Sequence, residues 1–235
     1  MSNVDLIKVS NMYDLSHTKA KELLESVEFP WEALPKIKET ILKLGAEIDA
    51  DPALSSEYEK RGEDIWIHKT AKVFDSAYIA GPCIIGADTE VRQCAFVRGS
   101  ALVGEGCVVG NSTELKNVII FDNVQVPHYN YVGDSILGYK SHMGAGSITS
   151  NVKSDKSLVV VKGNGVYSDI HIETGLKKFG AMLGDFVEVG CNSVLNPGSV
   201  IGRHTNIYPL SPVRGFIPAE SIVKTGAVVV AKKPE

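Results

Sequence analysis

Residues 67–115 read IHKTAKVFDSAYIAGPCIIGADTEVRQCAFVRGSALVGEGCVVGNSTEL. An aliphatic residue returns every six positions: Ile67, Val73, Ile79, Ile85, Val91, Val97, Val103, Val109 and Leu115. The fourth residue after each of the first eight is small: Ala71, Ala77, Cys83, Thr89, Ala95, Ala101, Cys107 and Thr113. A second array, Leu183, Val189, Leu195, Ile201, Ile207 and Val213, keeps the same step. Period six is neither the 3.6 of an α-helix nor the 2 of a plain strand. It requires a coil in which every sixth side chain comes back to the same inward corner, as in a prism of short parallel strands. Small residues then fit where the corner is tight, and glycines such as Gly86, Gly104 and Gly110 are expected at turns that need positive φ. Cys83 and Cys107 fall on the small inward position and read as core filler. Cys94 and Cys191 fall elsewhere in their repeats, with nothing nearby that suggests a reactive thiol.

Outward from this stretch the composition changes. Of 27 valines 24 follow Asp64, and of 22 glycines 20 do, which places the boundary near that residue. Before it the chain reads as helix. Asp14 or Ser16 is placed to cap a segment carrying Ala20, Leu23, Leu24 and Val27. A second segment, Trp31 to Leu44, puts Leu34, Ile37, Ile41 and Leu44 on one face and meets Gly45 as a C-terminal stop. Residues 49–64 are polar, with a Pro and a Gly, and read as a linker. The expectation is therefore a helical region with linker over 1–64, and a mainly β, single-stranded parallel β-helix over 65–235. For the helices we expect packing across the first coil, capping its open strand edges.

The whole chain has 235 residues, 24 basic against 28 acidic, a net charge of −4 and only 7% aromatic residues. That balance gives no nucleic-acid footprint, and no apolar run approaches the length of a membrane span. The acidic and polar start lacks the basic-then-apolar pattern of a signal peptide, and no C-x-x-C pair is present, so a soluble cytoplasmic protein is expected. A narrow prism also accounts for the scarcity of aromatic residues.

The chemistry lies where the period breaks. After Leu115 the aliphatic steps run five (Ile120), six (Val126), six (Val132), five (Leu137), six (Met143) and six (Thr149). Residues 150–180 then form an irregular loop with Lys153, Lys156, Lys162, Lys177 and Lys178, and a loop that long inside a solenoid is usually functional. Arg98, Glu114-Leu115-Lys116, the run H-Y-N-Y-V-G-D at 128–134 and the run G-A-G-S-I-T-S-N at 144–151 resemble a known family. It is the acetyltransferase domain of bifunctional N-acetylglucosamine-1-phosphate uridyltransferase/glucosamine-1-phosphate N-acetyltransferase, a left-handed β-helix of hexapeptide repeats. The resemblance covers roughly residues 66–225, and both five-residue steps fall where that family has them. The stretch K-K-F-G-A-M-L-G-D-F-V-E-V-G-C-N at 177–192 is similar to its archaeal-type version.

The resemblance implies roles residue by residue. His128 would be the general base that takes a proton from the sugar amine; an imidazole suits this because it titrates near neutrality. Asn151 would act beside it, orienting the thioester. Arg98 and Lys116 would hold the sugar phosphate, with Glu114 and Tyr131 against the sugar. Lys156 is the loop lysine placed at the phosphate, with Lys153 and Lys162 as alternates. Ala145 would line the coenzyme A path, and Arg214 and Lys224 would meet its phosphates. Acetyl-CoA is the implied co-substrate, no metal is required, and a homotrimer binding a sugar phosphate is implied. Two departures bear on the sugar: His142 stands where the bacterial domain has an Asn that contacts it, and Val152 follows Asn151 in place of Tyr.

The uridyltransferase half would need a glycine-rich nucleotide-binding stretch and a domain of its own, whereas the region before Asp64 has no G-x-G pattern; uridyl transfer is not expected. Two other readings stand beside the acetyltransferase. A non-catalytic trimeric module would dock a separate sugar nucleotidyltransferase. A γ-type carbonic anhydrase would need an H-x4-H pair for zinc, and the sequence has none.

Overall fold

In the computed structural model, which describes residues 2–224 and 228–231, the repeat folds as a parallel β-solenoid of about nine turns. Coil stacks on coil in register: Ile67 pairs with Ile85, Ile85 with Val103, and Ile201 with Ile217. Every aliphatic residue of the period-six rows from Ile85 to Leu115 points inward and is fully buried. The single-stranded parallel β-helix expected from the repeat is the observed fold. Among the described residues, no helix is long and apolar enough to cross a membrane.

Each coil lays one short strand on each of three faces, and the strands join into a 14-stranded and a 9-stranded sheet. Two faces share the larger sheet because two strands, Glu114–Ile120 and Tyr131–Leu137, run unbroken around the corner between them. These are the coils with the five-residue steps: Ala101 pairs with Val118 and Val118 with Ser135, 17 residues apart instead of 18. Losing one residue removes the break between strands and tightens the corner. The insertion before Phe179 is largest: Ile136 pairs with Met182, and its 150–180 segment contains an antiparallel hairpin of Val160–Lys162 with His171–Glu173.

The glycines act differently from expectation. Gly86, Gly104 and Gly110 do not have positive φ; a side chain on any of them would strike the backbone of the next coil, so they are there for close approach. The left-handed corners are carried largely by other residues, with Asn and Asp prominent, among them Asp88 (φ 55°), Asn117 (φ 55°) and Asp134 (φ 48°).

The N-terminal region is helical but arranged otherwise than expected. Asp14 caps only the short turn Leu15–His17, and Lys21–Glu25 forms one brief helix. Pro30–Lys36 is 3₁₀, and the long helix spans Ile37–Ala50, passing straight through Gly45. Gly45 is no stop: the indole ring of Trp66 occupies the space a side chain would need. Residues 49–64 are not a bare linker either, since they hold a helix, Pro52–Glu57, and a strand, Tyr58–Lys60, that pairs antiparallel with Ile65–His68 and covers the first strand edge.

The helices lie along one face of the prism. On that face an outward ladder, Trp66, Ile84, Leu102, Ile119, Ile136 and Met182, stacks in register and is buried throughout. The helix Ile37–Ala50 covers its first half, Trp31 meets Phe179 farther along at 5.6 Å, and Tyr13 meets Phe121 at 5.2 Å. Burying six large side chains at about 25 cal/mol per Å² explains why so polar a segment stays folded on the solenoid. The ladder continues as Val200 and Phe216, and there Tyr167 of the insertion packs edge-on to Phe216 at 5.4 Å. The two coverings touch: Asn3 Nδ2 donates to Asp169 Oδ1 at 2.8 Å.

Candidate functional site

The site forms where the shortened corners fall. Arg98 lies one coil below Lys116, since Val97 pairs with Leu115, and Gly133 pairs with Lys116 one coil above. Asp134 sits at the tight corner after Gly133 with a left-handed backbone (φ 48°), and it is only 3% exposed. Three groups converge on it. Lys116 Nζ lies 3.1 Å from both carboxylate oxygens. Asn117 Nδ2 donates to Oδ1 at 2.9 Å, and Asn151 Nδ2 donates to Oδ2 at 2.5 Å. A buried carboxylate is tolerable only with such partners. Asn117 also donates to the carbonyl of Leu34 (3.3 Å), which ties the cluster to the helical region.

One strand position away, Arg98 Nη1 donates to Glu114 Oε1 at 2.7 Å, and this pairing raises the guanidinium pKa further. Tyr131 stands in register above Glu114. Partial burial raises its hydroxyl pKa, and the Asp134 and Glu114 carboxylates add to that, so the phenol stays protonated as a donor. Gly133 leaves the room the Tyr131 hydroxyl fills. The cluster thus holds two cations against two carboxylates, with the Arg98 side chain 47% exposed and able to turn its remaining donors to a ligand.

His128 ends the strand Gln125–His128, in the same coil as Tyr131 and at the neighbouring corner. The turn between them is fixed by buried Asn130: Oδ1 accepts the His128 N–H (3.1 Å), and Nδ2 donates to the carbonyls of Gly144 (2.9 Å) and Ser147 (3.0 Å). The imidazole itself is exposed. Ala145 lies one coil above His128, whose carbonyl accepts from Gly146 N–H at 3.0 Å.

Five of the residues singled out by motif therefore come together: Arg98, Glu114, Lys116, Tyr131 and Asn151, with His128 and Ala145 at the adjoining corner. Others do not join them. His142 stands in the nine-stranded sheet, its Nδ1 2.8 Å from Glu188 Oε2, in a polar cleft of about 420 Å³ with Gln125 and Lys140. Among the described residues no loop lysine is bonded to the cluster: Lys153 bonds Ser157 and lies near Asp155, Lys156 is exposed at a left-handed turn, and Lys162 lies on the insertion hairpin. Arg214 and Lys224 are exposed on different faces near the last coil, and Arg214 lines a cleft of about 740 Å³ with Tyr167 and Phe216. The residues that motif reading passed over are Asp134, Asn117 and Asn130. Their signal was Asn130 and Asp134 within the H-Y-N-Y-V-G-D run, and Asn117 and Asp134 at the five-residue steps.

The buried thiols behave as core: burial pushes Cys83 and Cys107 up to about 12. Cys94 and Cys191 are exposed and free.

Comparison with known proteins gives the lineage. Among curated relatives, the bifunctional protein GlmU of Methanococcus maripaludis strain C5 is 37% identical over 122 residues, 51% of this chain and 28% of that protein. The bifunctional sugar-1-phosphate nucleotidylyltransferase/acetyltransferase of Sulfurisphaera tokodaii is 35% identical over 95 residues, 40% of this chain and 23% of that protein. The matched segment thus spans about a quarter of the length of these relatives. Among solved structures, a hexapeptide transferase family protein from Anaplasma phagocytophilum is 17% identical with a TM-score of 0.42, covering 73% of this chain and 80% of that one. The family described as the GMPPB C-terminal domain matches residues 79–207, more than half of the sequence and the whole of the cluster built on Asp134. The chain belongs to the GMPPB C-terminal domain family.

Proposed function

We propose that the chain is an acetyl-CoA-dependent N-acetyltransferase acting on an amino sugar esterified at its anomeric phosphate, glucosamine 1-phosphate being the simplest such substrate. The observation that carries this reading is the convergence of Arg98, Glu114, Lys116, Tyr131 and Asn151 around Asp134, one corner from His128. Relatives named for GlmU and for a nucleotidylyltransferase/acetyltransferase match 51% and 40% of this chain.

In this mechanism Arg98 and Lys116 take the phosphate, a cationic fork and a point charge one coil apart. Asp134 keeps the Lys116 ammonium and the Asn151 amide in place, so little ordering remains to be done when substrate arrives. Glu114 and the Tyr131 hydroxyl hydrogen-bond the sugar. The amine attacks the thioester carbonyl, the new N–C bond forms, and the C–S bond breaks. His128 removes the amine proton and returns it to the departing thiolate. Asn151 presents its amide to the acetyl oxygen as negative charge develops. Coenzyme A would run past Ala145 toward Arg214 and Lys224, and three such prisms side by side would enclose the site. No metal enters this scheme, and the proposed setting is the cytoplasm.

Thiol release from acetyl-CoA, followed with glucosamine 1-phosphate, galactosamine 1-phosphate and simple amines, tests the reading. Release is expected only with the sugar phosphates and is expected to collapse in His128→Ala. Full activity in that variant would remove His128 from the mechanism, and no release with any amine, together with capture of a nucleotidyltransferase, would favour a docking module instead.

A further inference from the structure

The outward ladder that leads into the site is aromatic where it leaves it. Tyr78, Phe96, Glu114 and Tyr131 stack in register along one face. Tyr78 is 62% exposed and Phe96 40%, and of the exposed rings these two stack on one ladder with the site. The two rings meet edge-on at 5.6 Å, and the Arg98 guanidinium lies 5.9 Å from the Phe96 centroid. Nothing in a sugar 1-phosphate accounts for this pair, because Phe96 lies two coils and Tyr78 three coils from Tyr131.

We infer that Tyr78 and Phe96 form a nucleobase platform, and that the physiological substrate class is a nucleoside diphosphate amino sugar. The order of groups along the prism axis supports this. Tyr78 comes first, Phe96 and Arg98 share the next coil, Glu114 and Lys116 the one after, and the Tyr131 hydroxyl and the imidazole assigned to the reacting amine follow. A base, a diphosphate and a sugar follow one another in the same order. From Tyr78 to Tyr131 is three coils, about 14 Å at the spacing of neighbouring strands, comparable with the reach of such a ligand laid along the axis. A diphosphate also suits the cation pair better than one phosphate does, since Arg98 and Lys116 belong to successive coils and each must be drawn from a carboxylate partner. Stacking on an aromatic face tolerates any base, so the class is set by the diphosphate and the ring rather than by one nucleoside.

The inference rests on the acetyl-transfer reading only for the fate of the amine, so its test is one of binding. UDP, GDP, inorganic phosphate and glucosamine 1-phosphate are titrated calorimetrically into the full chain. UDP and GDP are expected to bind at least tenfold more tightly than inorganic phosphate. Tyr78→Ala and Phe96→Ala are each expected to weaken the nucleotides about tenfold and leave glucosamine 1-phosphate unchanged, with Phe96→Trp restoring nucleotide affinity. In thiol-release assays the same variants should raise KM for UDP-glucosamine with kcat unchanged. Nucleotide affinity no greater than that of inorganic phosphate, or unchanged in Tyr78→Ala, overturns the platform. So does a drop in oligomeric state in either variant, measured by sedimentation, which would assign the ring pair to contact between copies of the chain. Nucleotide binding that meets these expectations without thiol release from any amine would leave the platform standing and remove the acetyl-transfer reading.

Discussion

Two ladders run the length of the same 14-stranded sheet with opposite fates. Trp66, Ile84, Leu102, Ile119, Ile136 and Met182 are apolar and sealed beneath the chain's own helices. Tyr78, Phe96, Glu114 and Tyr131 occupy the equivalent outward position on the next face and are open or half-open. Both are held by an identical inward framework. The difference teaches that the repeat fixes the scaffold only, and each outward column is free to become either an internal contact or a working surface.

That contrast can be broken in several places. The largest effect is expected at the open side: His128→Ala should lower kcat by about 10² to 10⁴ in the thiol-release assay, with the thermal transition unmoved because the imidazole is exposed. Asp134→Ala should damage both properties. It leaves the Lys116 ammonium without its buried partner, at about 3–5 kcal/mol by denaturant titration, and activity should fall with it. On the sealed side, Ile119→Ala should cost about 2–5 kcal/mol while the kcat of the folded protein stays as it was. Gly45→Ala should cost about 1–3 kcal/mol through overpacking, despite the better helix propensity of Ala, because Trp66 would have to leave its place. The smallest change is chemical: a disulfide reagent should modify Cys94 and Cys191 rapidly in the native protein, and reach Cys83 and Cys107 only after unfolding.

What could be read from the sequence divides along the same line. The inward rows recur every six residues and were legible as such. The sealed ladder recurs only once per coil, at steps of 18, 18, 17, 17 and then 46 residues, and its signal is diluted by Lys72, Tyr78 and the other residues that occupy the remaining faces. It emerges only when the chain is folded into three sides, so the helices were expected over the first coil rather than along a face. At the site, the motifs brought out Arg98, Lys116, Tyr131 and Asn151, which resemblance can mark. Asp134 was missed because its importance comes from a corner shortened by one residue, and the effect of that on a carboxylate's direction is a property of three dimensions. Gly45 was misread for a similar reason: a helix stop and a helix bearing an indole ring look alike in one dimension.

The 17-residue coils have a consequence for anyone who would tidy this protein. Restoring the missing residue at the corners before Val118 and Ser135 would make the repeat uniform, and a consensus-based redesign would do so by default. The result would be a more regular rod in which Asp134 no longer turned under Lys116 and Asn151. Regularity and reactivity compete here for a single position in the coil, and the natural sequence has resolved the contest twice in favour of the irregular turn.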